Sequence, residues 1–143
     1  MSFRRLLLIV FLGGMGLAAL AQQEKSSFQN LEFPTEIKGW IEPSTTRIVF
    51  LYGVVCVGGC PIGNYILENN FRLDIVFVVP PAFTEDDIDN LTRGMSVQGK
   101  ICRASEATAE FLKKLSQEMK LKDSDNNYVL EIKDGKIEDV KLY

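Results

Sequence analysis

Apolar positions in this chain come in short runs separated by glycine, proline and asparagine, and the runs alternate between two periodicities. Residues 47–52 (RIVFLY) form a continuous apolar, β-branched stretch, the mark of a strand buried on both faces. Residues 53–60 break it with three glycines. Pro61–Asn69 then places Ile62, Tyr65 and Ile66 at i, i+3 and i+4, which predicts a short helix. A second strong strand is predicted over 71–79 (FRLDIVFVV), closed by Pro80-Pro81. Thr84 and Asp87 have capping-box spacing and open a helix running to about Arg93, with Gly94 placed to end it. Lys100–Arg103 is a short strand candidate. Ser105 is expected to cap an amphipathic helix to about Lys120, whose apolar stripe is Ala107, Phe111, Leu112, Leu115 and Met119. Residues 128–132 and 137–142 flank Lys133-Asp134-Gly135-Lys136. An Asp-Gly pair between apolar runs is a strong hairpin signal.

In this order the first two strands are joined through a helix, so they should be parallel, and the hairpin adds an antiparallel edge. The expected fold is α/β, a mixed sheet with helices on both faces. Residues 31–46 carry Pro34, Gly39 and Pro43 among scattered apolar residues, which predicts an irregular segment with Trp40 as a packing anchor.

Upstream of these elements the pattern changes. Arg4 and Arg5, an apolar stretch from Leu6 to Leu12 and the small-x-small triplet Ala19-Leu20-Ala21 match a cleaved signal peptide over residues 1–21. The uncharged stretch is shorter than the roughly 20 residues a membrane-spanning helix needs. The expected organisation is a signal peptide (1–21), an irregular extension (22–44) and one domain (45–143). Cleavage would leave an exported, periplasmic or extracellular protein with no membrane attachment, in a compartment that favours disulfides.

Charge and composition then narrow the chemistry. The 143 residues carry 16 Lys+Arg against 19 Asp+Glu, a net charge of −3, so no basic surface for nucleic acid is indicated. The chain contains no His. That removes Ser-His-Asp and Cys-His catalysis and His-ligated zinc. Thiols become the leading candidates.

Cys56-Val-Gly-Gly-Cys60-Pro61 lies between a buried strand and the helix that follows it. The C-terminal ends of parallel strands are where α/β sheets place their sites. On a helix, residues four apart share one face within reach of a disulfide, and the glycines let the ring close without one. A helix start beside the pair favours thiolate. These properties fit a redox-active pair, a soft-metal pair or a structural clip. Cys102, between Ile101 and Arg103 on the short strand, reads as a small core hydrophobe. Glu85, Asp86, Asp87 and Asp89 suit the first turn of a helix and lack the spacing of an EF-hand loop. The glycine turn lacks the Lys-Ser/Thr pair of a phosphate loop.

The strand RIVFLY, the two-cysteine turn and its helix, the strand FRLDIVFVV and the hairpin YVLEIKDGKIEDV together resemble the thioredoxin-like superfamily over about residues 45–143. The CxxxCP motif is more similar to the Sco copper-chaperone family than to the CxxC of thioredoxin. The resemblance implies a three-layer α/β/α fold and thiol-disulfide exchange through Cys56 and Cys60, with protein thiols or disulfides as partners and no cofactor. It assigns attack to Cys56 and resolution to Cys60. Pro61, however, is favoured at the first helical position, which would make Cys60 the N-cap and the thiol on which the helix dipole acts most strongly. A Sco-like Cu(I) chaperone and a non-catalytic domain are the alternatives, with Met95 or Met119 as a third copper ligand. Three features depart from the family pattern. No proline stands in DSDNNY (123–128) where thioredoxins place a cis-proline, no His is present for a Sco metal site, and no helix follows the hairpin.

Overall fold

The computed structural model describes residues 30–56, 59–122 and 126–143. The expected signal peptide lies outside them. The elements in chain order are α1 (Thr35–Lys38), β1 (Arg47–Leu51), α2 (Pro61–Asn69), β2 (Ile75–Val79), α3 (Glu85–Asp89), β3 (Lys100–Arg103), α4 (Glu106–Glu118), β4 (Asn127–Lys133) and β5 (Lys136–Leu142). The strands form one mixed sheet in the order β3-β2-β1-β4-β5. β1 pairs parallel with β2, and β2 parallel with β3, while β1–β4 and β4–β5 are antiparallel. The sheet class and the parallel start with an antiparallel end are as the periodicities imply.

β1 and β2 sit inside the sheet, and their apolar side chains serve both faces, which is why these runs read as continuous. Ile48 and Phe50 point into one core with Ile37, Phe111, Leu112, Leu115, Tyr128 and Leu130. Val49 and Leu51 point into the other with Ile62, Tyr65, Ile66, Leu91 and Met95. Full burial of a residue such as Phe50, which exposes nothing to water, contributes on the order of 2 to 3 kcal/mol. Phe111 joins α4 to both neighbours, its ring centroid 5.3 Å from that of Phe33 and 6.0 Å from that of Phe50.

Several local expectations shift. The stretch expected to be irregular contains the single turn α1, and its Ile37 is fully buried, so this segment is part of the core. Trp40 packs half-buried against the same cluster. β2 begins at Ile75 rather than at residue 71, because Phe71 and Leu73 are exposed in a turn that Arg72 and Asp74 hold together. The helix after Thr84 has its capping box, with Asp87 Oδ2 accepting the Thr84 N–H at 2.8 Å and Thr84 Oγ1 accepting the Asp87 N–H at 3.2 Å. It then widens into a π turn over Asn90–Gly94, so Gly94 lies in the last turn. On α4 the expected stripe holds at Phe111, Leu112, Leu115 and Met119 and differs only at its start, where Ala107 is exposed and Thr108 is buried. Ser105 stands at the N-cap of α4, yet its hydroxyl donates to Glu36 of α1 at 2.6 Å rather than serving its own helix. The hairpin turn is as the Asp-Gly signal requires, with φ of 52° at Asp134 and 72° at Gly135.

Candidate functional site

The parallel strands β1 and β2 finish at the same end of the sheet, and the chain leaving β1 carries the cysteine pair over that end into α2. Cys60 is the N-cap of α2 in an extended conformation, and Pro61 occupies the first helical position. The missing proline N–H costs nothing there, since the first N–H groups of a helix have no intrahelical partner. Asn64 N–H closes the first turn on the Cys60 carbonyl at 3.0 Å, and Asn64 Oδ1 accepts the Gly59 N–H at 3.3 Å. Cys56 and Cys60 are joined in a disulfide with Cα atoms 6.1 Å apart. Cys60 Sγ lies 3.7 Å from the Cys56 carbonyl oxygen. No acidic residue occupies the first turn of α2, so the helix dipole acts on Cys60 without local opposition.

The two cysteines have different surroundings. Cys60 packs with Val55 against the core that contains Ile62, Ile66 and Leu91. Cys56 is half-buried on the loop, two residues after Val54, whose side chain is 84% exposed. An apolar side chain in water beside the disulfide is a feature that no periodicity forecasts.

The segment entering the loop is held from the far end of the sequence. Asn127, the first residue of β4 and only 3% exposed, pairs with Leu51 in the sheet. Its side-chain Oδ1 accepts the Gly53 N–H at 3.0 Å and its Nδ2 donates to the Val54 carbonyl at 3.0 Å. Gly53 suits this approach, because a Cβ there would lie 3.0 Å from Asn127 Nδ2 and 3.2 Å from the Asn127 backbone nitrogen, so Asn127 would have to give way by a few tenths of an ångström. Asn127 was not marked by the sequence. Two asparagines before a strand read as loop, and the partner lies 74 residues away.

The other candidates fall elsewhere. Cys102 is a free, buried thiol in the core on the α4 side, and burial pushes its pKa up. It is a core residue, as expected. Met95 is buried, but Asn70 Nδ2 holds its carbonyl at 3.0 Å at the far end of α2, some ten residues from Cys60. A helical rise of about 1.5 Å per residue puts about 15 Å between those ends. Met119 packs against the core on the opposite side of the sheet from Cys60. Met95 thus shares the core on which Cys60 sits, with its backbone at the other end of α2, and no cluster of three or more His, Cys, Asp or Glu that could hold a metal occurs among the described residues. In the acidic turn, Glu85 pairs with Arg103 at 2.6 Å and Asp89 with Arg93 at 3.6 Å. Tyr52 precedes the loop but packs on the α4 side, where burial first and Glu36 second push its phenol up to about 12.

The arrangement is therefore a disulfide bridging the loop after the central strand β1 and a helix start, with one sulfur seated on the core and the other on the loop. No protein-family model, curated protein or solved structure matches this chain.

Proposed function

We propose that this chain is an exported thioredoxin-like protein that carries out thiol-disulfide exchange through Cys56 and Cys60. One observation carries the reading: the pair is bonded on the loop between parallel strand β1 and the first turn of α2. A structural clip needs only two close sulfurs. Placement of one sulfur at a helix N-terminus adds what exchange requires, a leaving thiolate stabilised by the positive end of the dipole. The strand order, with its parallel β1-α2-β2 unit and antiparallel β4–β5 pair, is compatible with the thioredoxin-like three-layer arrangement. The basic and apolar pattern of residues 1–21 supports export to a periplasmic or extracellular compartment.

In the reduced protein, Cys56 thiolate attacks one sulfur of a substrate disulfide. A mixed disulfide forms and the second substrate sulfur leaves as thiolate. Cys60 thiolate then attacks Cys56 Sγ, which restores the Cys56–Cys60 bond and releases the remaining substrate thiolate. Two electrons pass from the pair to the substrate, whose thiolates take up protons from solvent. The seating of Cys60 on the core and of Cys56 on the loop supports these roles, since the attacking sulfur must meet a bulky protein disulfide.

Equilibration of the purified chain in glutathione buffers, with thiols counted by alkylation and mass, tests the reading. An exchange protein titrates between about −120 and −270 mV, whereas structural disulfides lie below about −300 mV. A pair that stays oxidised across the first range ends the proposal and leaves a structural clip.

A further inference from the structure

We propose that Asn127 is a positioning residue that sets the equilibrium between the Cys56–Cys60 disulfide and its dithiol. This deepens the exchange reading and rests on it for biological meaning. Leu51 is the last residue of β1 in register with β4, opposite Asn127. Beyond it the chain turns away, and the Gly53 N–H and Val54 C=O no longer face a backbone partner across the ladder. The Asn127 amide supplies both missing partners, an acceptor at 3.0 Å and a donor at 3.0 Å. Its orientation follows from the chemistry: a flipped amide would set its NH2 against the Gly53 N–H. At 3% exposure the amide has little water to turn to, so breaking either bond leaves a buried polar group unsatisfied.

Both ends of the disulfide loop are thus tied to the sheet or a helix. Cys60 is fixed by the first turn of α2 and by the core beneath it. Cys56 follows the clamped Val54 by two residues, with Val55 packed on the core between them, so the Asn127 clamp and that contact together set where the loop starts. While the pair is reduced, the same clamp keeps the Cys56 sulfur near Cys60, and the effective concentration of one thiol at the other stays high. Loosening the clamp gives the dithiol conformational freedom that the disulfide denies, and the disulfide becomes easier to reduce.

The test equilibrates the full chain with dithiothreitol and its oxidised form and counts free thiols by alkylation and mass. In that reaction dithiothreitol gives two electrons and two protons to the Cys56–Cys60 bond and becomes its own cyclic disulfide. Asn127→Ala should move the constant about tenfold toward the dithiol, which is about 30 mV for a two-electron couple. Asn127→Asp, which keeps only the acceptor, should move it less. Gly53→Ala disturbs the clamp from the other side and should move it in the same direction as Asn127→Ala. This variant decides the matter if the Asn127 variants do not fold. Ile132→Val, a core change in the same strand, should leave the constant where it is. An unchanged constant in folded Asn127 or Gly53 variants overturns the proposal, as does an equal shift in Ile132→Val. A wild-type constant beyond the exchange range ends the exchange reading alone, because the shift between variants is still read in the strongly reducing buffer.

Discussion

At the scale of single residues, the two thiols of the pair and the third cysteine differ by their seats. Cys60 lies on the core at a helix start and Cys56 on the loop beside exposed Val54. On the proposed exchange reaction, Cys60→Ser should trap a mixed disulfide between Cys56 and substrate, because the sulfur proposed to resolve it is gone. Non-reducing electrophoresis of the variant after incubation with a protein disulfide reads this directly. Trapping by Cys56→Ser alone would reverse the roles. Cys102 is buried beside Ala104 in the core on the α4 side, and its thiol is held above the ordinary range by burial. Cys102→Ala should leave the thiol-disulfide equilibrium of the pair unchanged and cost about 1 kcal/mol of stability. Wild-type Cys102 should react with iodoacetamide only after denaturant is added.

At the scale of elements, α4 depends on a residue that is not its own. Glu36 of α1 accepts hydrogen bonds from the Ser105 hydroxyl at 2.6 Å, the Thr108 hydroxyl at 3.0 Å and the Ser105 N–H at 3.3 Å. Bonding by Ser105 first, against some burial, holds the Glu36 carboxyl below its usual range. A carboxylate at the start of a helix also meets the positive end of the dipole. Glu36→Ala should cost about 1 kcal/mol, the typical worth of a helix cap, in a urea unfolding curve. Glu36→Gln, which keeps an acceptor, should retain most of it. Equal losses in the two variants would mean that the charge and not the hydrogen bonds matters. The exchange of partners explains why Ser105 read as a cap. Its position is a cap position, but the side chain is recruited by a turn of helix that lies 69 residues earlier.

At the scale of the whole molecule, Asp74 ties the turn before β2 to the strand beside it. Arg72 Nε donates to Asp74 Oδ1 at 2.9 Å and Arg72 Nη2 to Oδ2 at 2.5 Å, and the Thr46 hydroxyl, just before β1, donates to the same carboxylate. The Arg72 bonds chiefly, then Thr46, hold the Asp74 carboxyl far below its unfolded value of 3.8. A folded pKa below the unfolded one gives stability that is present above about pH 4 and is lost as pH falls toward the folded value. The groups are partly exposed, so the bidentate pair is worth roughly 1 kcal/mol. Asp74→Asn should lower stability by about that amount at pH 7. The difference from wild type should shrink when thermal melts are repeated between about pH 4 and 2. A difference that stays constant across that range would show that the ionised carboxylate is not what stabilises the turn.

Much of this fold follows from the order of residues alone. Strands β1 and β2, helix α2 with Pro61 after Cys60, the Thr84–Asp87 capping box and the Asp134-Gly135 turn are set by neighbours within about four residues. Side-chain periodicity, missing N–H groups and tolerance of positive φ act at that range, so the pattern along the chain determines them. The nearness of Cys56 to Cys60 belongs to the same class. What depended on tertiary structure is each feature whose partner is distant in sequence. Phe71 and Leu73 read as strand because they are apolar, but no neighbouring strand reaches them, and the ladder begins with Arg47 opposite Ile75. The widening of α3 into a π turn gave no sign in its sequence. The burial of Ile37, the capping of α4 by Glu36 and the clamp of Asn127 on Gly53 and Val54 exist only once the sheet has brought those segments together. An asparagine amide can satisfy many partners equally well, and only the packing of β4 beside β1 selects one.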